Sequence, residues 1–527
     1  MTEGGPGFSL RSVGRSALIL GGGSAAVQVL GVVRELFVAA QVGLSPELDA
    51  LLIALVLPIT LSGVLTSGTV TALVPAYLEV RREEGLMAAR RLGGAVLTSV
   101  GLMAILLAVA LALFSAVAVT VTGPGLSQGS RTEAVGYLRL LAPVAFLAAV
   151  SGILTGICQA EERFRSIAIA TFVGPAVTLL VLFSTWGSLG LQAYALGSLL
   201  GPLVTVIVLL VTVQRAGLMP LPTLRWRDPG LVAFVRHAWP LTLSSAILQL
   251  NFVADRAIAS LLLPGAVSAL RFGEVLIRTP VVAIAPAWGA AMYPAQVRAA
   301  AGGSGRGLGV ATGRSVAYAL AAFVPLAIIM ASVAPLAVSV VYARGAFGAA
   351  DVQLTASVVA AFAPLIVILM VAPTLGGALN ARRKGTILLA AGSMNVVLNF
   401  ALDVVLGAWL GVAGVALSSS VTSTVVVLFL AFQVARRESD FVIQPLVATV
   451  LRVAVATLLP ALPVAALVWG GVVDGGTPVG WMLLIGIGTF ILVAYVVIAT
   501  RLRVQEVGAA IDLVRERLAG RLRRRPS

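Results

Sequence analysis

The feature that most constrains this chain is a succession of long apolar runs, repeated from one end to the other and separated by short polar loops. A bilayer helix needs roughly 20 mostly apolar residues, and each run is long enough. Of the 527 residues, 59% are apolar and only 11% charged, whereas a soluble domain carries about 25% charged residues. No soluble core can hide that much apolar surface. The runs lack the two-residue alternation of a membrane barrel, so the spanning elements are helices. The expected spans are roughly 15–41, 48–80, 92–122, 134–159, 166–186, 190–213, 232–262, 267–297, 315–342, 352–380, 386–409, 411–434, 446–471 and 478–500. The fold class is therefore an all-α integral membrane protein of about fourteen transmembrane helices.

The first run follows Arg11 and Arg15 and continues past Gly31 to Arg34. It is longer than a signal-peptide core and is read as the first span. The formal charge of +15 would suggest nucleic acid in a soluble protein, but here the basic residues occupy alternate loops, and no nucleic-acid partner is expected. One face receives the N-terminus, then Arg81, Arg82, Arg90 and Arg91, Arg163 and Arg165, and Arg215, Arg225, Arg227 and Arg236. The same face receives Arg298, Arg306 and Arg314, the run Arg382-Arg383-Lys384, Arg436 with Arg437, and a basic tail. Little beyond Arg131 and Arg344 falls on the opposite face. Positive charge marks the cytoplasmic side, so both termini are expected in the cytoplasm. The single cysteine, Cys158, excludes disulfides and Cys-based zinc sites and reads as packing.

Landmarks recur at an offset of about 221 residues. Arg15 maps to Arg236, Arg34 to Arg256, Asp49 to Arg271, Pro58 to Pro280 and Pro143 to Pro364. "GICQAEERF" from Gly156 aligns with "GALNARRKG" from Gly377, and "GLQAYALGS" from Gly190 with "GVAGVALSS" from Gly411. Six spans separate the copies, so the repeat is parallel: two six-helix repeats plus two C-terminal helices. Transporters of this build place substrate between the halves and rock one against the other. The expected parts are an N-terminal lobe 11–214, a cytoplasmic linker 215–231, a C-terminal lobe 232–436, extra helices 13 and 14 within 446–500, and a tail 501–527. In the tail Val504, Val507, Ile511, Val514 and Leu518 recur at helical spacing among arginines, the pattern of a surface amphipathic helix on anionic lipid. A solvated basic tail is the other reading.

Ionisable residues inside spans are expensive and point to function. They cluster in spans 1, 2, 7 and 8: Arg34 and Glu35, Asp49, Asp255 and Arg256, and Arg271, Glu274 and Arg278. Most lie toward the outer end. Arg278, two residues before Pro280, lies deeper and is the first candidate for a phosphate contact, because arginine binds phosphate bidentately and stays protonated. Glu274 sits three residues from Arg271 and four from Arg278, spacings at which side chains on one helix pair. Substrate or gate residues, and ion pairs that only hold the bundle, are both open readings. Asp403, Arg139 and Arg452 read as snorkelling or interfacial residues, and His237 as solvated. The chain has no phosphate-binding loop, no H-E-x-x-H and no soluble segment large enough for a nucleotide-binding domain. No catalytic residue, metal or cofactor is expected, and transport must draw on an ion gradient, the membrane potential, a partner or the substrate's own gradient.

These residues resemble the MurJ or MviN group of lipid-linked glycan flippases, within the multidrug, oligosaccharidyl-lipid and polysaccharide exporter superfamily. The likeness is carried by "VLGVVRELFVAAQVG" from Val29, "LDALLIALVLP" from Leu48, "LVPAYLEVRR" from Leu73 and "YLRLLAPVAFLAAVSGILTGICQAEERF" from Tyr137. Its most specific segment is "VVYARGAFGAADVQLTASVVAAFAPL" from Val340, with the family's R-G-A-F loop. The resemblance implies flipping of undecaprenyl-diphosphate-linked glycan across the plasma membrane, with spans 1, 2, 7 and 8 lining a cavity and the last two spans forming a groove for the lipid tail. Arg34 matches a basic position of span 1 and Asp49 an acidic one of span 2. Gln28, Ser62 and Val275 stand where the lipid II flippases have arginines, with Arg271 and Arg278 one turn to either side of Val275. The glycan is thus either lipid II or a related lipid-linked saccharide.

The expected function is therefore a flippase whose partners are membrane lipids and a polyprenyl-diphosphate-linked glycan, the coupling ion being left open. Gln28, Arg34, Asp49, Ser62, Arg256, Arg271 and Arg278 are the substrate or gate candidates, with Glu35, Asp255 and Glu274 as their ion-pair partners. The alternatives are a cation-coupled drug or metabolite antiporter of the same superfamily, and a non-transporting scaffold whose partners are cell-envelope synthesis proteins.

Overall fold

A computed structural model describes residues 10–221, 223, 229–301, 307–382, 384–473, 475 and 479–522. Arg225, Arg227, Arg306, Arg383 and Arg523 to Arg525 lie outside the described residues. The elements of the first half are α1 (Leu10–Val42), α2 (Pro46–Glu83), α3 (Leu86–Leu113), α4 (Ser115–Thr122), α5 (Gln128–Leu141), α6 (Pro143–Ala160), α7 (Phe164–Leu189) and α8 (Leu191–Arg215). The second half holds α9 (Pro229–Ser260), α10 (Ala266–Ala301), α11 (Leu308–Ser332), α12 (Ala334–Tyr342), α13 (Ala349–Phe362), α14 (Leu365–Ala381), α15 (Gly385–Leu410) and α16 (Val412–Ala435). Beyond the repeat come α17 (Ile443–Trp469), α18 (Gly480–Arg501) and α19 (Gln505–Leu522).

Among the described residues, twelve helical stretches are long and apolar enough to cross a membrane. The other two expected spans lie on α1 and α10, which run for 33 and 36 residues. Every expected span coincides with a helix or an end-to-end pair of helices. The protein is an all-helical, multi-pass membrane protein.

The repeat read from the sequence is written into the backbone. The third span breaks at Phe114 (φ −96°, ψ 21°) and the ninth at Val333 (φ −103°, ψ 14°). The fourth and tenth spans each open with a 14-residue helix, α5 or α13, and restart beside Pro143 or Pro364. Proline is tolerated there because the first amides of a helix have no intrahelical partner. The 26-residue helices α7 and α15 both end at a glycine in a conformation closed to other residues, Gly190 (φ 55°, ψ −131°) and Gly411 (φ 60°, ψ −141°).

The chain packs as two units, one of Met1–Phe37 with Leu44–Ser268, the other of Val38–Gly43 with Ala269–Ser527. In the first, Leu73 and Tyr77 of α2 are buried with Ile153, Leu154, Ile157 and Cys158 of α6. Cys158 is thus a packed, free thiol. Gly174, Gly197 and Gly201 let α7 and α8 approach so closely that the Thr178 hydroxyl donates to the Gly197 carbonyl at 2.9 Å. Small residues at such seams are how helices associate where apolar burial gives no driving force. The first unit also takes in α9, which packs along α2: Ser67 and Ser245 hydroxyls meet at 3.1 Å. In the second unit α11, α17 and α18 share an apolar cluster built on Ala321, Val453, Ala456, Tyr495 and Ala499. Outward-facing side chains such as Leu113, Trp409 and Met482 are apolar and exposed, as hydrocarbon solvent requires.

Candidate functional site

The charged residues predicted from sequence belong to both units, Arg34, Glu35, Asp49, Asp255 and Arg256 to the first and Arg271, Glu274 and Arg278 to the second. In the first unit Ser45 caps α2 by accepting from the Leu48 amide at 3.2 Å, and Pro46 pre-sets the first turn. That turn carries Asp49, which is buried. Its carboxylate accepts from the Gly265 amide at 2.7 Å, the Ser268 amide at 2.8 Å and the Ser268 hydroxyl. Gly265 and Ser268 bracket the start of α10, whose first amides have no partner within the helix. Asp49 caps α10 from another helix, with its negative charge at the positive end of the dipole.

Arg34 on α1 donates to Glu35 at 2.8 Å, and its guanidinium lies 5.1 Å from the centre of the Tyr194 ring on α8. Phe37, one turn on, meets Phe183 and Trp186 of α7 edge-on at 4.7 and 5.2 Å. Arg34 therefore faces the helices of its own unit, with 24% of its side chain exposed and Glu35 buried beneath it. Arg256 on α9 is buried, its guanidinium 4.9 Å from the Phe252 ring, and Asp255 beside it is half-buried. Gln28 is half-buried, and the Ser62 hydroxyl turns back to the Pro58 carbonyl at 2.6 Å.

In the second unit α10 continues through Pro280. Glu274 and Arg278 pair at 2.8 Å along one face of it, and the Arg278 side chain keeps 49% of its surface. Arg271 is half-buried one turn before. Arg278 is thus more accessible than Arg34, with a guanidinium edge available beyond its carboxylate partner.

The R-G-A-F segment is a structural clamp. Phe347 packs against Phe272 and Tyr342 at 5.9 and 5.7 Å, and the Tyr342 hydroxyl donates to the Phe272 carbonyl at 3.2 Å. Gly345, at φ 60°, lies on the Ala40 carbonyl, and the next amide, that of Ala346, donates to that carbonyl at 2.8 Å. The clamp has a twin in the first unit, where Gly125 lies on the Ser260 carbonyl and its amide donates to the Ser260 hydroxyl at 3.2 Å.

Sequence reasoning placed Asp403 among the interfacial residues, and the structure corrects this. Asp403 is fully buried, accepting from Asn399 Nδ2 at 2.8 Å and from the Ser418 hydroxyl on α16. The four-residue spacing of Asn399 and Asp403 was the available signal. Arg139 is exposed and donates to Ser115 at 3.1 Å, Arg452 is exposed, and exposed His237 contacts the Ala233 carbonyl at 2.8 Å. A second feature missed is the clasp of Arg382 to Glu438 through two hydrogen bonds of 2.7 and 3.0 Å. The carboxylate raises the Arg382 pKa above its ordinary value.

The profile of the family described as "Lipid II flippase MurJ" matches residues 38–473. The chain belongs to the lipid II flippase family. It is similar to a "Probable lipid II flippase MurJ" of Synechocystis sp., at 25% identity over 429 residues, covering 78% of this chain and 80% of that one. Its likeness to the corresponding protein of Thermotoga maritima is 23% over 404 residues, covering 75% and 80%. Among solved structures, "Lipid II flippase MurJ, inward closed conformation" superposes with a TM-score of 0.75 at 18% identity, covering 91% of this chain and 98% of that one. An inward-facing multidrug resistance MATE family transporter of the MOP superfamily follows at 0.67 and 15%, covering 79% and 95%. At these identities the structural likeness speaks for the fold alone. The family is one of transporters, not enzymes.

Proposed function

We propose that this protein carries an undecaprenyl-diphosphate-linked glycan, lipid II or a related lipid-linked saccharide, from the cytoplasmic to the outer leaflet of the plasma membrane by alternating access. The observation that carries this reading is the family match over residues 38–473. A sugar-diphosphate headgroup cannot cross hydrocarbon unaided, because its charges and hydroxyls would lose water without replacement. A carrier must supply paired charge and hydrogen bonds inside the membrane while leaving the polyprenyl tail in lipid. Arg278 is the residue proposed to meet the diphosphate: its side chain is half-exposed, and its guanidinium can take two phosphate oxygens at once. Glu274 holds the guanidinium while the site is empty and gives way as phosphate arrives. Arg271 supplies a second charge about two turns away. Arg34 and Arg256, anchored on Tyr194 and Phe252, are proposed as gate residues that keep spans 1 and 7 in register. The basic loops orient both termini toward the cytoplasm.

The test is leaflet translocation of a labelled undecaprenyl-diphosphate glycan in vesicles holding the purified protein. Wild type should move it, and Arg278→Ala should move it roughly 10- to 100-fold more slowly. Ion-driven efflux of a soluble cation, with no lipid movement, would place the chain with the antiporters instead.

A further inference from the structure

The fourth and tenth spans break at equivalent prolines, but the space beside the two breaks is filled differently. In the first unit Phe146, three residues beyond Pro143, packs its ring against the cluster of Leu65, Ala104 and Ala149. At the repeat offset of 221 its counterpart is Val367, three residues beyond Pro364. Beside Val367 the second unit holds a cavity of about 450 Å³. Its walls include Leu320 and Ile328 of α11, Val367 and Val371 of α14, Val427 of α16 and Val450 of α17. Protein interiors hold few voids larger than a water molecule, and this volume falls in the range of ligand pockets, about 300–1,000 Å³.

The walls leave water little to bind. Pro364 has no amide to donate and crowds the carbonyl four residues before it, which opens the helix. The groups freed there are nevertheless taken: the Ala363 amide donates to the Ala360 carbonyl at 3.3 Å, the Ser420 hydroxyl to the Ala361 carbonyl at 2.7 Å, and the Val367 amide to the Pro364 carbonyl at 3.1 Å. Thr424, the polar side chain of the lining, donates its hydroxyl to the Ser420 carbonyl at 2.7 Å. A buried water needs two to four polar partners, and an apolar cavity stays dry or takes an apolar guest.

The course of the walls fixes which guest reaches it. Every lining residue lies at least about two turns inside its span. Helix α11 packs on α14 and α17, and α14 on α16. Leu428, a lining residue of α16, and Val447, one turn before Val450 on α17, are 63% and 51% exposed. Such side chains on a multi-pass protein meet hydrocarbon, and the cavity is continuous with that surface. Acyl chains are the solvent there.

We propose that this cavity binds an acyl chain of a bilayer phospholipid, which enters between α16 and α17 and fills in the second unit the space that Phe146 fills in the first. The site differs from the tail groove on the last two spans that the family resemblance implies, because among the described residues α17 lends it Val450 and α18 none. It does not depend on which lipid the protein transports.

The full-length protein is reconstituted in phosphatidylcholine vesicles containing a small share of phosphatidylcholine with a photoactivatable diazirine in one acyl chain. After illumination and digestion, the crosslinked residues are mapped by mass spectrometry. Lining residues such as Val371 and Val427 should crosslink several-fold more than Leu492 and Val493, which are exposed on α18. Val367→Phe, which gives the second unit the ring of the first, should abolish the lining crosslinks and leave those of α18 in place. Ala360→Leu adds less bulk to the same cavity and should lower them several-fold, which keeps the test open if Val367→Phe does not fold. Val497→Phe, on exposed α18, should change neither set. Lining crosslinks no stronger than those of α18, or unmoved by the cavity-filling substitutions, would overturn the proposal in favour of unselective contact with bulk lipid. Their loss on adding undecaprenyl phosphate in an amount equal to the labelled lipid would overturn it in favour of a polyprenyl chain.

Discussion

Asp49 and Ser268 meet at the start of α10: the carboxylate accepts from the Ser268 amide at 2.8 Å and from the same residue's hydroxyl, while the Gly265 amide completes the set at 2.7 Å. A residue read from sequence as a gate charge therefore serves as the cap of another helix. Asp49→Ala leaves two amides without their acceptor in a buried place and should cost about 1–3 kcal/mol. Asp49→Asn keeps an acceptor oxygen and should lose less. Thermal unfolding of the two variants in detergent checks the order; equal losses would mean that the negative charge matters and the hydrogen bonds do not.

Gly345 and Gly125 make corresponding contacts in the two units. A methyl group at Gly345 would overlap the Ala40 carbonyl at a backbone angle closed to alanine, and one at Gly125 would overlap the Ser260 carbonyl. Each Gly→Ala change should destabilise by about 1–3 kcal/mol. Gly348→Ala, with open space around it and an extended backbone, should change stability by under about 0.5 kcal/mol. Melting temperatures of the three variants measure the contrast.

Asp403 is the acceptor for two buried donors. Asp403→Ala should lower stability by about 1–3 kcal/mol, and Asn399→Ala and Asp403→Ala together should cost less than the sum of the single changes. A double-mutant cycle by thermal unfolding tests this; strict additivity would show that the two side chains are not coupled.

Arg34 and Arg278 should respond differently to truncation. Arg278→Ala removes a charge-assisted phosphate contact and should slow translocation by roughly 10- to 100-fold with little change in melting temperature. Arg34→Ala removes the support of Glu35 and Tyr194, so its larger effect should be on stability. Arg278→Lys should recover only part of the rate, because an ammonium cannot take two oxygens in one plane. Parallel rate and melting measurements separate the two residues.

The membrane fold, the order of spans and the internal repeat were legible in the sequence, down to the paired prolines 143 and 364 and the paired glycines 190 and 411. The charged positions were legible too, and Glu274 with Arg278 pairs as its four-residue spacing requires. The roles of Asp49 and Asp403 were not. An acidic residue near a helix end has the same appearance in sequence whether it faces water, substrate or the amides of a distant helix. The R-G-A-F segment was visible as a family mark, yet its work as an aromatic and glycine clamp depends on Phe272 and Ala40, which lie far from it in the chain.

The sequence by itself determined what depends on local solvent preference: which runs enter hydrocarbon, which loops stay in water, and where the second copy of the repeat begins. Transfer free energy sums over a stretch of neighbours, so it can be read along the chain. Only the tertiary structure decided which charge caps which helix, which arginine rests on an aromatic ring, and which carboxylate is sealed from solvent. For Asp49 and Arg34 those outcomes turn on the register of helices distant in the chain, and a shift of one residue would rotate each side chain by about 100° and give it a different neighbour.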